Sequence, residues 1–235
     1  MLAAGFYNMD CMEAMRGFPD GYFELAIVDP PYGISADKFA NGSNRKHVST
    51  AKRLNDGRGK LMDRILNKSN YSWDAAPPDK TYFDELFRVS RNQIIWGGNY
   101  FDLPPTRGII VWDKIQPWEN FSQVELAWTS FDKPAALFRY SNTSSANPDH
   151  VGKIHPTQKP IALYSWLLAR YAKPGDKILD THAGSASSLV ACHRAGFDAW
   201  GFEIDPGYYA SASQRLERER SQVTLFDAGI CEGLL

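Results

Sequence analysis

The sequence predicts an α/β fold built on a mostly parallel, twisted sheet. Short apolar runs such as residues 25–28 end abruptly at turn residues, which is typical of buried parallel strands. In the last third of the chain such runs alternate with helical patterns, an order that places helices on both faces of a sheet. Ligands of such sheets bind beyond the carboxyl ends of the strands. The polar residues that follow each strand are therefore the candidates for function.

Each element is predicted from its own local pattern. Apolar runs bounded by turns predict strands at residues 6–10, 25–28, 93–96, 108–112, 124–129, 177–180 and 199–204. Helical spacing of apolar residues predicts helices at 79–90, 160–171, 185–195 and 208–220, and a helical turn at 11–18. Pro160 suits a first helical position, and Gly196 suits a helix end. All of these elements fit one domain over residues 1–235.

Composition excludes several classes of protein. No apolar run is long enough to span a membrane, and the first residues lack the features of a secretory signal. The three cysteines, Cys11, Cys192 and Cys231, are odd in number and widely spaced, which argues against a disulfide framework and against a metal site. We therefore expect a cytoplasmic protein without a bound metal. The net charge of −1 says nothing about partners.

Residues 33–75 differ from the rest of the chain. Between residues 37 and 68 this segment carries nine lysines and arginines against three aspartates, with little apolar periodicity. A long irregular basic segment inside a compact domain is usually functional or disordered. We interpret residues 33–75 as an insertion that leaves the sheet directly after the turn at Asp29-Pro30-Pro31-Tyr32.

That turn is the most informative stretch of the sequence. Two prolines remove two backbone donors, so the local carbonyls can face a ligand. Asp29 adds an acceptor and Tyr32 adds a flat ring, so the set could grip the amine of a planar base. Asp-Pro-Pro is equally a good turn, and that interpretation stays open.

Two further clusters lie near the carboxyl-terminal third of the chain. Residues 180–188 join a strand to a helix with small side chains, so a ligand can approach the backbone closely. Glu203 ends the next strand, at the spacing of a side chain that binds ribose hydroxyls. Because the loop lacks a lysine and is poor in glycine, a nucleoside without phosphates is favoured. Residues 155–160 precede a helix and could equally be an ordinary capped start, with Thr157 as the cap.

Together the three clusters resemble the amino-methylating DNA methyltransferases, in the motif order of their β class. This resemblance implies a Rossmann-like methyltransferase fold with circularly permuted motif order, and S-adenosylmethionine as the methyl donor. It implies that the catalytic motif is Asp29, Pro30, Pro31 and Tyr32. It also implies a mechanism in which an adenine is flipped out of the duplex and its N6 amine is gripped by Asp29 and the Pro30 carbonyl.

The resemblance also implies a cofactor site. Asp180, Gly184 and Ser185 would hold the methionine end, Glu203 the ribose, and Asp10 would lie near the adenine. Thr157, Lys159 and Pro160 would close over the methionine moiety. The matched segments add Cys11, Thr181, His182, Ala183 and Ile204. Two positions depart from the family pattern, which has phenylalanine at His182 and commonly a second glycine at Ala186.

The resulting expectation is a bacterial or phage-encoded DNA adenine-N6 methyltransferase of a restriction-modification type. A cytosine-N4 or RNA enzyme and a catalytically silent DNA-binding module remain alternatives. A protein-glutamine enzyme is less favoured because that group resembles Asn-Pro-Pro-Tyr, and a C5-cytosine enzyme would need a Pro-Cys nucleophile, which the sequence lacks.

We expect double-stranded DNA to contact the insertion through Lys38, Arg45, Lys46, Lys52 and Arg53, and residues 138–154 to form a short target-recognition loop. Homodimerisation is a further expectation. Residues 222–227 resemble the peptide by which bacterial proteins bind the replication sliding clamp, and so predict a tether to it.

Overall fold

The computed structural model describes residues 1–36, 73–116, 122–141 and 154–222. In this part of the chain, eight strands form one sheet in the order β1-β8-β7-β2-β3-β5-β4-β6. The strands are β1 (Gly5–Asn8), β2 (Phe23–Val28), β3 (Ser90–Trp96), β4 (Ile109–Asp113), β5 (Val124–Thr129), β6 (Ala136–Arg139), β7 (Ile178–Asp180) and β8 (Ala199–Glu203).

One strand runs against the others. Strands β1, β8, β7, β2 and β3 pair in parallel, and β4 pairs in parallel with β6. Strand β5 is antiparallel to both of its neighbours, β3 and β4. The start of β5 therefore lies at the edge where the other strands end. This reversal brings a residue from the beginning of a strand, Glu125, to the edge that binds ligands in folds of this class.

Five helices of the described residues cover the sheet. They are α1 (Cys11–Arg16), α2 (Lys80–Val89), α3 (Ile161–Tyr171), α4 (Ser187–Ala195) and α5 (Pro206–Arg220). Three begin at an aspartate whose carboxylate accepts backbone N–H bonds of the first turn, which stabilises the helix start. No described helix has the length and apolarity needed to cross a lipid bilayer.

The hydrophobic core is divided between the two faces of the sheet. One cluster packs α3, α4 and α5 against inward residues of β2, β3 and β4, among them Ile27, Ile94 and Trp112. The other packs α1 and α2 against the opposite face, among them Val28, Ile95 and Phe202. Alternate residues of a strand thus enter different clusters, as the period of two requires. Burial on both faces fixes the register that sets the strand ends.

The structure confirms the predicted α/β class, the mostly parallel sheet and every predicted strand and helix to within a few residues. Strand β6 was not predicted. Because Phe138 and Arg139 lie in it, the loop predicted at residues 138–154 begins too early, and residues 142–153 lie outside the described residues. The predicted helix at 185 begins at Ser187, since Ala186 adopts a left-handed conformation with φ 57° and ψ 26°.

Candidate active site

Acidic side chains mark the carboxyl-terminal edge of the sheet. Asp29 directly follows β2, Asp180 ends β7 and Glu203 ends β8, while Asp10 lies two residues beyond β1. Since β8, β7 and β2 are consecutive neighbours in the sheet, the last residues of these strands lie side by side. The structure thus brings the predicted catalytic motif and the predicted cofactor loop to one edge.

At the catalytic motif, both oxygens of the Asp29 carboxylate already have donors. The Tyr32 hydroxyl donates to Oδ1 over 2.5 Å, and the Lys159 ammonium donates to Oδ2 over 2.5 Å. The carboxylate is 18% exposed, whereas the Lys159 side chain is 2% exposed. Asp29 is therefore fixed from behind by buried donors and keeps a face that a ligand can reach.

Lys159 links Asp29 to two residues that the sequence did not single out. Its Nζ lies 3.0 Å from Glu125 Oε2, and Glu125 Oε1 lies 2.5 Å from Lys114 Nζ. Four charges of alternating sign therefore run from the catalytic motif into the site, in the order Asp29, Lys159, Glu125 and Lys114. Each buried charge has an opposite neighbour, the condition under which buried ions are tolerated.

The pKa values in this chain follow its geometry. Burial alone would raise the pKa of Glu125, but the Lys159 and Lys114 ammonium groups outweigh it and lower that pKa to about 2. Burial likewise opposes the charge of Lys159, yet the carboxylates of Asp29 and Glu125 raise its pKa above the ordinary value. Both groups are therefore ionised near neutral pH.

Lys159, which the resemblance places over the methionine end of the cofactor, contacts the catalytic motif. Its ammonium contacts the Asp29 carboxylate, and it lies over the rings of Trp96 at 5.4 Å and Tyr32 at 5.9 Å. Pro160 is the residue that precedes α3 and is buried. The structure therefore puts Lys159 in the catalytic motif's surroundings.

The ring of Tyr32 is held by its neighbours. It stacks on Tyr100 with ring centroids 4.9 Å apart and an interplanar angle of 12°. A Cβ built on Gly97, whose φ is 70°, would lie 2.2 Å from Tyr32 Cε1. Gly97 thus allows the backbone to approach the ring closely. Tyr100, which is 47% exposed, adds a second aromatic surface next to the motif.

The predicted cofactor loop is held by the strand beside it. Glu203 Oε2 accepts the Gly184 N–H over 3.0 Å, and Oε1 accepts the Asp205 N–H over 2.8 Å. The Ala183 N–H also donates to the Phe202 carbonyl over 2.9 Å. Burial raises the pKa of Glu203 to about 7 despite these bonds. The carboxylate is thus poised to change its charge near neutral pH.

Asp180 is more deeply buried than Glu203. Its carboxylate accepts the Ser188 hydroxyl and the His182 N–H, the latter over 3.1 Å. Burial raises its pKa to about 6, although these two hydrogen bonds and the positive charge of Lys159 act in the opposite direction. Ser185, also buried, pairs its hydroxyl with that of Ser187 over 3.1 Å.

His182, the departure from the family pattern, is part of a buried polar chain. Its Nδ1 pairs with Thr181 Oγ1 at 2.9 Å, and Thr181 Oγ1 pairs with the Tyr82 hydroxyl at 2.7 Å. Burial lowers the pKa of His182 to about 4. The ring packs edge-on against Tyr82, with centroids 5.4 Å apart. His182 is therefore a neutral ring that fills an aromatic position.

The segment before α3 contacts the predicted cofactor loop through His155. The His155 ring lies 4.3 Å from that of Tyr208 and 5.1 Å from that of Trp73. It is 3.7 Å from the position that a Cβ on Gly184 would take. The exposed Thr157 pairs with His155 Nδ1 over 3.1 Å, so it does not cap α3 as the alternative interpretation proposed.

The remaining predicted site residues lie at the rim. The carboxylate of Asp10 caps α1, accepting the Met12 N–H at 2.6 Å and the Glu13 N–H at 3.3 Å, both on Oδ1. Cys11 begins α1 half-buried, and burial raises its pKa to about 12. Ile204 is 60% exposed beyond β8. The positions predicted to contact DNA, Lys38, Arg45, Lys46, Lys52 and Arg53, lie outside the described residues.

Asp74 joins the two ends of the insertion. It is 1% exposed, and its carboxylate accepts the Gly33 N–H over 2.8 Å and the Ala36 N–H over 2.7 Å. The Ser35 N–H donates to the Asp74 carbonyl over 3.1 Å. Residues just after the catalytic motif are thereby fixed to residues just before α2. Within the described ranges, no group of three or more potential ligand side chains could hold a metal ion.

Comparison with known proteins agrees with this geometry. Residues 95–214 match the family model of the N6/N4 methyltransferases, described as DNA methylase. The Type II methyltransferase M.HpaI of Haemophilus parainfluenzae is 31% identical over 237 residues, covering 89% of this chain and 73% of its own. The Type II methyltransferase M2.MboI of Moraxella bovis is 22% identical over 225 residues, covering 79% of this chain and 77% of its own.

Two solved structures share the fold at low sequence identity. The cytosine-N4-specific PvuII DNA methyltransferase superposes with a TM-score of 0.58 over 94% of this chain and 91% of its own, at 15% identity. A Thermus thermophilus protein described as a DNA modification methylase, complexed with S-adenosyl-L-methionine, superposes with a TM-score of 0.51 over 93% of this chain and 95% of its own, at 18% identity.

Proposed function

The chain belongs to the family of N6/N4 DNA methylases, and from that premise we propose that it methylates the N6 amine of adenine within a specific DNA sequence. The methyl donor of the family is S-adenosylmethionine. The observation that carries the adenine assignment is Asp29, a carboxylate oriented by Tyr32 and Lys159 at the end of β2. Cytosine-N4 enzymes of this family usually have serine there.

The residues at the ends of β1, β7 and β8 fit S-adenosylmethionine. They supply three carboxylates, on Asp10, Asp180 and Glu203, and no described salt bridge engages any of them. Carboxylates accept hydrogen bonds from ribose hydroxyls and attract an ammonium or a sulfonium group. These negatively charged acceptors would repel phosphates, which agrees with a nucleoside ligand. Gly184, under the ring of His155, leaves room for a ligand to approach the backbone.

The chain's own residues would orient the target. Asp29 and the Pro30 carbonyl accept the two N–H bonds of the flipped amine, which favours tetrahedral character at nitrogen and releases its lone pair. Tyr32, with Tyr100 stacked against it, offers an aromatic surface to the base, a contact worth about 1–3 kcal/mol. When bound, S-adenosylmethionine supplies an activated methyl group. Holding the methyl donor and the amine in line would then lower the barrier to transfer.

The hydrogen bonds around Asp29 support its role as an acceptor for the target amine. A carboxylate with both oxygens engaged by donors has a fixed orientation, and it is a strong acceptor for the weakly nucleophilic N6 amine. We propose the same target type as Type II enzymes, a defined double-stranded sequence, read in part by the basic insertion. The matching relatives are named Type II methyltransferases.

Labelled transfer to DNA, followed by digestion and separation of the nucleosides, tests the proposal. We expect label in N6-methyladenine, and a loss of transfer in Asp29→Ala by about 10²–10³-fold, the scale for removal of one positioned catalytic contact. S-adenosylmethionine binding by calorimetry should be preserved in that variant. Label in N4-methylcytosine would contradict the adenine assignment, and normal turnover of Asp29→Ala would contradict the mechanism.

A further inference from the structure

The ionic chain behind Asp29 extends beyond the two donors that orient its carboxylate. A neutral acceptor such as serine or a carbonyl would accept the same N–H bonds without a buried lysine. Holding four charges in a chain of side chains that are only 2% to 24% exposed is costly unless each has a partner. Clusters of such groups are frequent at functional sites, and a role for the charge of Asp29 would account for this one.

We propose that Lys159 and Glu125, supported by Lys114, are positioning residues that control the ionisation of Asp29 while it accepts the proton lost by the methylated amine. This inference rests on the proposed function and extends it. Lys159 keeps Asp29 ionised before transfer, and Glu125 keeps Lys159 paired once Asp29 is protonated.

The step balances in bonds and protons. As the amine lone pair forms the new N–C bond, the C–S bond breaks and its electron pair stays on sulfur. The nitrogen then carries a positive charge and one proton too many. Asp29 takes that proton, the N–H pair returns to nitrogen as the lone pair, and the carboxylic acid later releases the proton to water. Asp29 is 18% exposed, so such a release path exists.

Lys159 is needed before transfer because of the charges around Asp29. Among the described residues, the titratable groups that interact with the carboxylate are Tyr32, Tyr82, Tyr164, Asp180 and Lys159, and Glu125 lies beyond Lys159. One of the five is an acid, three are phenols and one is a cation. Removing the ammonium group at 2.5 Å would leave Asp29 without its cation and would favour the protonated carboxyl group.

Glu125 is needed after transfer. Protonated Asp29 no longer balances the ammonium of Lys159, whose side chain is 2% exposed. Glu125, 3.0 Å from that ammonium, leaves Lys159 with a carboxylate partner throughout. Lys114, 2.5 Å from Glu125, keeps Glu125 ionised. Glu125 can therefore remain the carboxylate partner of Lys159. With Gln at position 125, proton transfer to Asp29 would strand a buried cation, and the step would slow.

Single-turnover rates measured against pH, together with S-adenosylmethionine binding by calorimetry, test the network. The variants are Lys159→Met, Lys159→Arg, Glu125→Gln and the double variant Lys159→Met/Glu125→Gln. For Lys159→Met we expect the acidic limb of the rate profile to move upward by about one pH unit or more, because a charge within about 4–6 Å shifts a carboxyl pKa by 1–3 units. Lys159→Arg should restore the limb to near the original position.

Glu125→Gln should do the opposite. The acidic limb moves downward because Lys159 faces Asp29 alone, and the plateau rate falls by about 10²-fold, the scale of a disturbed catalytic geometry. The double variant removes one charge of each sign, so its acidic limb should lie between those of the single variants. S-adenosylmethionine affinity should change less than about threefold in all four variants.

Two results would overturn the network. One is a loss of S-adenosylmethionine binding in Lys159→Met with an unmoved acidic limb, which would make Lys159 a cofactor ligand. The other is an identical acidic limb in every folded variant. If Lys159→Met does not fold, the proposal is tested by Glu125→Gln alone, whose acidic limb should move to lower pH.

A second readout separates this inference from the proposed function. The titration of Asp29 in the ligand-free protein, followed by carbon NMR of labelled aspartate, should move upward in Lys159→Met and downward in Glu125→Gln. This measurement needs no turnover. A wild-type protein that transfers no methyl group would refute the proposed function, while these titrations would still support or refute the network.

Discussion

A single methyl group at Gly97 should disturb catalysis by displacing the ring of Tyr32. Gly97 has φ 70°, and a Cβ there would lie 2.2 Å from Tyr32 Cε1. Gly97→Ala therefore adds two penalties, about 1–2 kcal/mol for a left-handed conformation and about 1–3 kcal/mol for overpacking. The sum is about 2–5 kcal/mol. If the Tyr32 ring swings away instead, stability suffers less, but its hydrogen bond to Asp29 is lost.

Gly196 provides a matched control. It has nearly the same backbone conformation, φ 73°, but nothing lies within 4 Å of an added Cβ. Gly196→Ala should therefore show the conformational penalty alone. In thermal melts, each kcal/mol corresponds to about 2–4 °C for a chain of this size, so Gly97→Ala should melt about 2–12 °C below Gly196→Ala. At a temperature where both variants are folded, only Gly97→Ala should lose methyl transfer. Equal melting and equal turnover would refute the packing argument.

Further predictions concern the cofactor loop, the insertion and the chain end. Because the pKa of Glu203 is raised to about 7, S-adenosylmethionine affinity should fall as the pH drops below that value, by at most about tenfold per unit for one proton; calorimetry should show a flatter profile for Glu203→Gln. Replacing Arg45, Lys46, Lys52 and Arg53 by glutamine should flatten the salt dependence of DNA binding by up to about 3.6 units of slope, at about 0.9 per phosphate contact; an unchanged slope would remove the insertion from the DNA interface. Purified sliding clamp should retain the intact chain and not Leu225→Ala/Phe226→Ala; no retention, or equal retention, would end the tether hypothesis. Ala186→Gly should change the free energy of unfolding by less than about 1 kcal/mol, since relief of left-handed strain offsets the loss of a buried methyl group.

The sequence was informative where chemistry follows directly from a strand end. Asp29, Asp180 and Glu203 were all predicted from apolar runs that stop at an acidic residue, and the sheet places them side by side because β2, β7 and β8 are parallel neighbours. That inference needs only the direction of the strands, which the alternation of strands and helices supplies.

The rest of the site depended on features that local patterns do not encode. Glu125 reaches the site because β5 runs antiparallel, and nothing in residues 124–129 specifies that direction. Lys159 was assigned to the cofactor by resemblance, but the length of its side chain carries the ammonium to Asp29, 130 positions away in sequence. Strand β6 was missed because its four residues are too few to show a recognisable alternation of apolar and polar side chains.

The distribution of counter-charges indicates which ligand belongs on which side. Around Asp29 and Glu125, two lysines balance two carboxylates, so this part of the site is close to neutral by itself. Around Asp180 and Glu203, where no described salt bridge is formed, burial outweighs the hydrogen bonds and, for Asp180, the more distant charge of Lys159, and raises the pKa values to about 6 and about 7. The ionised form of a buried carboxylate with a raised pKa is stabilised by a ligand that brings its own positive charge. S-adenosylmethionine, with its sulfonium and ammonium groups, meets that requirement, whereas a neutral base fits the side already balanced by Lys159 and Lys114. The distribution of charge therefore supports the proposed placement of the methyl donor beside Asp180 and Glu203 and of the target base beside Asp29.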